Sequence, residues 1–281
     1  MFQGKFVFAQ IFEYINRYEF DKCVCRYQGD YKVKDFNCWN QFLYMCFGQL
    51  THRESCTDII SSLNAHQNSV YHLGLKDIVA VSTLTRANEN RNWRIYSDFA
   101  NYLLKITRPL YADDKDFVLD LDNTVYAFYS TTIDLCLSAF VWAKFRKTKA
   151  AVKLHTLIDL RGNLPTFIYI SDGKLHDVNA LDELISEENA FYVMDRAYID
   201  FARLYRMNLA LSFFVVRAKD NLQFRVVKYL KVDKTTGLRC DQTIRLKTKK
   251  SAHDYPAYLR RVKFYDKENK ITAKYYFDVI A

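Results

Sequence analysis

Between residues 113 and 122 the chain reads Asp-Asp-Lys-Asp-Phe-Val-Leu-Asp-Leu-Asp, and apolar residues recur with different periods on its two sides. Before it they return every three or four positions, the spacing of a buried helix face; after it they alternate or run in short blocks, the spacing of strands. One segment cannot satisfy both periods. The chain is therefore expected to hold a helical region, residues 1–112, and a strand-rich region, residues 113–281, joined through an exposed acidic connection. The expected fold class is α+β. Only seven glycines and three prolines stand against 21 tyrosines and 21 phenylalanines. That balance excludes low-complexity linkers and supplies apolar material for a sizeable core.

In the helical region, Phe36, Trp39, Leu43, Cys46, Phe47 and Leu50 form one stripe from Asp35 onward, and Cys56, Ile59, Ile60 and Leu63 form a second over 53–63. Ser82 stands where an N-cap would open a third helix, and Tyr96, Phe99, Leu103 and Ile106 mark a fourth. Short helices in tight succession are compatible with a helix-turn-helix unit. The polar face over 86–94 carries Arg86, Asn88, Asn90, Arg91, Asn92 and Arg94, side chains suited to phosphates and base edges as well as to simple solvation.

Beyond the connection, strands are expected at 125–129, 151–160, 165–171, 191–195 and 212–217, with helices at 177–185 and 199–208. This makes a mixed sheet flanked by helices. From 222 to 281 the pattern becomes β-rich, with runs at 224–230, 242–247, 258–265 and 271–279 in which lysine and arginine are interleaved with aromatics.

A formal net charge of +9 favours a polyanionic partner, because each cation placed on a phosphate releases condensed counterions. No apolar run approaches the roughly 18 residues of a membrane span, and Met1-Phe-Gln-Gly-Lys-Phe6 lacks a signal-peptide pattern. The expectation is a cytoplasmic protein without a membrane partner. The seven cysteines, at 23, 25, 38, 46, 56, 136 and 240, are odd in number and never spaced Cys-x-x-Cys. They read as reduced core residues rather than a disulfide framework or zinc ribbon.

Asp195 follows the apolar strand end Val193-Met194, and Arg196-Ala-Tyr-Ile-Asp200 leads away from it into a helix. Its carboxylate should therefore emerge at a sheet edge, either as a metal ligand or as a helix N-cap. Val125-Tyr-Ala-Phe-Tyr-Ser-Thr-Thr132, at the head of a longer apolar stretch, and Tyr192-Val-Met-Asp-Arg-Ala-Tyr-Ile-Asp200 together resemble the catalytic core of bacterial insertion-sequence transposases of the IS-four family. The resemblance extends through Gly4-Lys-Phe-Val-Phe-Ala-Gln10, Cys38-Trp-Asn-Gln41 and Phe47-Gly-Gln-Leu-Thr-His-Arg-Glu-Ser55 to the β-rich end.

That resemblance implies a helical DNA-binding region, an RNase H-like domain and a β-rich insertion. The implied chemistry is hydrolysis at the element ends followed by strand transfer, supported by two Mg2+ (or Mn2+) ions held by three acidic residues. Asp195 matches the second acidic position and is the expected catalytic metal ligand. At the first stands Tyr129, whose neutral phenol cannot replace a carboxylate on magnesium. Asp134 lies five residues further on, expected beyond the strand end. Ala197 replaces a usual glycine, and the chain stops at Ala281, before the helix expected to carry the third acidic residue. The copy is expected to be truncated and catalytically defective.

His155, Asp159, His176 and Asp177 match further family positions. Lys144, Arg146, Lys147, Lys149 and Lys153 form a basic cluster beside the presumed site, and Arg217 with Lys219 follows another family segment. All seven of these cations are candidate DNA contacts; solvated faces and salt bridges are the plainer alternatives. The implied partners are DNA, as element ends and target, and a second copy in a homo-oligomer. Rival readings are a non-catalytic DNA-binding protein that interferes with intact transposase, and a nuclease of similar fold.

Overall fold

The computed structural model describes residues 6–75, 77–111, 121–135, 144–146 and 149–278. The acidic connection lies largely outside the described residues. The chain divides into two compact units, Met1–Ile106 and Thr107–Ala281.

The first unit contains α1 (Val7–Glu13), α2 (Arg17–Arg26), α3 (Cys38–Leu50), α4 (Cys56–Ala65), α5 (Val81–Asn90) and α6 (Arg94–Thr107). Side-chain caps fix three of the starts. Asn16 accepts from Tyr18 N, Asn37 from Asn40 N and Ser55 from Asp58 N, which satisfies amides that have no partner within the helix. The third helix departs from expectation. It begins after Ala80, whose extended backbone (ψ 151°) provides the entry without a side-chain cap, and Ser82 lies inside its first turn.

Phe36, Trp39, Leu43 and Phe47 bury as the stripe requires, while Cys46 is half-buried and Leu50, the last residue of α3, is exposed. The core is aromatic. Phe20 packs edge-on against Trp39 at 5.3 Å and Phe99 at 5.1 Å, a geometry that brings attraction beyond simple area burial.

The second unit is a mixed sheet built from β1 (Val125–Leu135), β2 (Lys144–Arg146), β3 (Lys149–Asp159), β4 (Leu164–Asp172), β5 (Phe191–Met194), β6 (Phe213–Arg217), β7 (Phe224–Tyr229), β8 (Leu238–Leu246), β9 (Leu259–Asp266) and β10 (Ile271–Asp278). The spatial order is β4-β3-β1-β5-β6-β10-β9-β8-β7, with β2 also on β3. β4, β3 and β1 are antiparallel neighbours, whereas β1, β5 and β6 run parallel. The β-rich segment continues this same sheet, because β10 pairs with the far edge of β6.

One face of the sheet carries Tyr126, Phe128, Tyr192, Met194, Phe214 and Val216 into a core shared with Leu204 and Met207 of α7 (Phe201–Leu209). Each such side chain contributes about 1.5–3 kcal/mol on burial. The helix expected at 177–185 is reduced to a 3-10 turn, Asp177–Asp182. Ala180 and Leu181 are buried there, Val178 and Leu184 pack half-buried against the same core, and Ile185 is almost fully exposed. The last helix is α8 (Lys249–Asp254). No helix among the described residues is long and apolar enough to cross a membrane.

Candidate active site

β1 and β5 pair in parallel with Tyr126 opposite Tyr192, Ala127 opposite Val193 and Phe128 opposite Met194. The pairing ends there, and Tyr129 and Asp195 are the residues that directly follow its last pair. Side chains two apart on a strand share a face. Tyr126 and Phe128 point into the core, their partners with them, while Tyr129 and Asp195 are both exposed on the other side.

β1 does not stop at Tyr129. β3 pairs with it from Tyr126↔Asp159 to Leu135↔Ala150 and holds it extended after β5 has ended. Asp134 therefore lies within the strand, opposite Ala151, roughly 16 Å along from Tyr129.

The turn after β5 is anchored from below. Tyr198 N donates to the Asp195 carbonyl at 3.0 Å, and the Tyr198 ring packs on Phe128 at 4.8 Å. Burial pushes the Tyr198 phenol up to about 12, keeping it neutral. Asp195 makes no side-chain capping bond; that role falls to Asp200, which accepts from Arg203 N at 3.0 Å at the start of α7. The Asp195 carboxylate is left for another use. Ala197 is outside the left-handed region, so this turn does not require glycine.

Asp195 opens into a cavity of about 470 Å³ lined also by Arg196, Ala197, Lys219, Asp220 and Asn221. Asp220 is a second carboxylate there that sequence reasoning did not single out. It follows β6, the parallel neighbour of β5, so the same sheet edge presents both; that topology was its only signal. Lys274 Nζ donates to Asp220 at 2.7 Å and holds its carboxyl below the usual range.

These residues do not make a magnesium cradle. Asp195 offers one free carboxylate, Tyr129 a phenol, and Asp220 is committed to an ammonium. No group of three His, Cys, Asp or Glu among the described residues is arranged to hold a metal ion.

Other expected contacts are used internally. Arg91 donates to Asn37 O and Gln41 Oε1, both at 2.9 Å, and to Phe36 O, and its guanidinium lies over the Phe36 ring. Lys153 donates to Leu175 O at 2.7 Å and pairs with Asp177 at 3.0 Å. Both are struts, each tying together acceptors from separate stretches of its own unit. His155 is fully buried, with Nε2 3.0 Å from Ser171 Oγ, and burial pushes its pKa down. Asp159 accepts from Arg108 Nε at 3.1 Å and Arg161 N at 3.0 Å.

Arg86 and Arg94 are exposed, Arg94 over the Trp93 ring at 4.9 Å. Arg217 is exposed at the end of β6, and Lys219 lines the cavity. Lys144, Arg146 and Lys149 lie on the antiparallel pair β2 and β3; His176 is exposed just ahead of the Asp177–Asp182 turn; Lys147 and Cys136 lie outside the described residues.

The model of the family described as "Transposase DDE domain" matches residues 118–271, and a "Domain of unknown function (DUF4372)" matches residues 3–76. The chain belongs to the DDE transposase family. It is 31% identical over 122 residues to a probable transposase for insertion sequence element IS5377 of Geobacillus stearothermophilus, covering 43% of this chain and 32% of that protein. It is 29% identical over 125 residues to the putative transposase y4zB of Sinorhizobium fredii, covering 43% and 35%. Each match thus spans about a third of the curated relative.

The piggyBac transposase in a synaptic complex with hairpin DNA aligns with 97% of this chain and 59% of its own at 9% identity and a TM-score of 0.43. The resemblance read from the residues is met at the level of insertion-sequence DDE transposases.

Proposed function

We propose that this DDE family member is a transposase of the IS-four branch that acts in the cytoplasm on DNA, binding insertion-sequence ends, and that its own cleavage and strand-transfer chemistry is impaired. The observation that carries this reading is the register neighbourhood of Tyr129 and Asp195 on the exposed sheet face. Two-metal phosphoryl transfer needs carboxylates converging on ions roughly 3.5–4 Å apart. A phenol beside a single free carboxylate cannot supply that charge. The same observation favours a second reading, in which the chain binds element ends without cutting them and competes with intact transposase.

Tyr129→Asp tests the placement. Paramagnetic Mn2+ binding should be weak in the unmodified chain, appear in the Tyr129→Asp variant, and be lost again when Asp195→Asn is added. Equal Mn2+ affinity with and without Tyr129→Asp would sink the assignment of this position. Joining of an end-bearing oligonucleotide to target DNA by the unmodified chain, purified from a host free of other transposases, would overturn the loss of activity.

A further inference from the structure

The chain's charge is concentrated in one segment. Residues 222–281 hold 15 Lys and Arg against six Asp and Glu, whereas residues 1–221 hold 26 of each. The whole net charge of +9 therefore resides in β7 to β10 and their turns.

The sheet then sorts that charge by face. Arg225 of β7 stands directly opposite Arg245 of β8, and past the bulge at Val226/Lys228, Lys228 stands opposite Thr243. Thr243 and Arg245 are two apart on one strand, so Arg225, Lys228 and Arg245 share a face. The opposite face sends Val226, Ile244 and Leu246 into the core. All three cations are exposed, and none makes a side-chain hydrogen bond or ion pair with another described residue.

Five of the segment's six acids are turned to other tasks; the sixth, Glu268, lies in the β9–β10 turn. Asp241 accepts from Arg260 Nε at 2.9 Å and Nη2 at 2.7 Å. Asp278 is buried against Phe214 N. Asp233 and Asp266 accept amides within their own turns, and Asp254 sits beside His253. Two arginines opposed across antiparallel strands with no counter-charge are unfavourable in the free protein. A polyanion laid across the strands removes that cost and takes guanidinium forks suited to phosphate oxygens.

We propose that the outer face of β7 and β8, centred on Arg225, Lys228 and Arg245, is a phosphate-binding platform for double-stranded DNA. The placement rests on the DNA-binding reading above. It assigns the main backbone contacts to the β-rich segment and not to the helical unit.

The test is the salt dependence of binding to a fluorescently labelled mixed-sequence duplex, using the full chain. Arg225→Gln/Lys228→Gln/Arg245→Gln should flatten the slope of log affinity against log salt by about 3, roughly one for each lost phosphate contact. The control Lys32→Gln/Lys34→Gln/Lys105→Gln, which removes three exposed lysines of the helical unit, should leave the slope nearly unchanged. Arg225→Lys/Arg245→Lys should retain the slope, which separates loss of charge from loss of fold. Equal flattening by the two glutamine triples overturns the platform while leaving DNA binding intact. Absence of salt-dependent duplex binding by the unmodified chain overturns both the platform and the DNA-binding reading.

Discussion

Arg91 in the helical unit and Arg245 in the sheet meet opposite surroundings. Arg91 is partly buried, with two carbonyls, a side-chain amide oxygen and an aromatic face around its guanidinium. Arg245 is exposed, faces another arginine and has no acid beside it. A basic residue on a polar stretch of sequence can therefore be a strut or a contact. What decides is whether the fold brings acceptors to it: an unmet buried acceptor recruits the cation inward, and an unopposed cation is left for an external anion.

The largest expected effect breaks the strut. Arg91→Ala takes the guanidinium donor from Phe36 O, leaves Asn37 O to Gln41 N and Gln41 Oε1 to the Tyr96 hydroxyl, and removes the cation from Phe36, so the helical unit should lose about 1–3 kcal/mol. Urea unfolding reads this directly. Duplex affinity measured on the folded variant at low temperature should be unchanged. A fall in affinity with unchanged stability would instead make Arg91 a DNA contact and erase the contrast with Arg245.

Element types were legible because each rests on local periodicity: the stripe through Phe36, Trp39, Leu43 and Phe47 predicted α3, and alternation predicted nearly every strand of the sheet. Where a strand ended was not legible. β1 runs on to Leu135 because β3 lies beside it, a long-range pairing that no local pattern announces. The helix expected over 177–185 closes after one 3-10 turn: Val178, Leu181 and Leu184 still reach the core, but Ile185 has no packing surface.

For the site, the strand-to-turn context of Asp195 was readable, and the capping role then fell to Asp200. Its neighbours Asp220 and Lys274 lie far away in sequence and arrive only through the β5–β6–β10 order. Arg91 and Lys153 looked like DNA contacts for a related reason: their acceptors, in Phe36 to Gln41 and in Leu175 and Asp177, are invisible until the chain folds.

An intermediate effect sharpens the charge sorting of the sheet through its buried acid. Asp278 Oδ1 accepts from Phe214 N at 3.2 Å, and burial pushes its carboxyl up to about 6. With the folded value above the unfolded one, the group's contribution is most favourable below about pH 4 and is lost as pH rises through about 6. Asp278→Asn removes the charge that forms there. It should stabilise the protein by about 1–3 kcal/mol at pH 7.5, with the gap closing by pH 4. Unfolding midpoints of the two proteins across that range check it; a gap independent of pH would mean that Asp278 carries its charge in the folded core at no cost.

The smallest effect is the most direct probe of the opposed arginines. If Arg225 and Arg245 repel each other across the β7–β8 pair, Arg245→Gln should stabilise the DNA-free protein by a few tenths of a kcal/mol, up to about 1, the scale of cross-strand pair energies, with the sign that like charges directly opposite impose. The same substitution should weaken duplex binding. Stability and binding then move in opposite directions, which a residue placed for packing alone would not produce. The stabilisation should shrink in high salt, because both guanidinium groups are exposed and their repulsion is screened over a Debye length of about 3 Å at 1 M. A variant that is less stable at every salt concentration would show that Arg245 holds the sheet together, and the contrast with Arg91 would be lost.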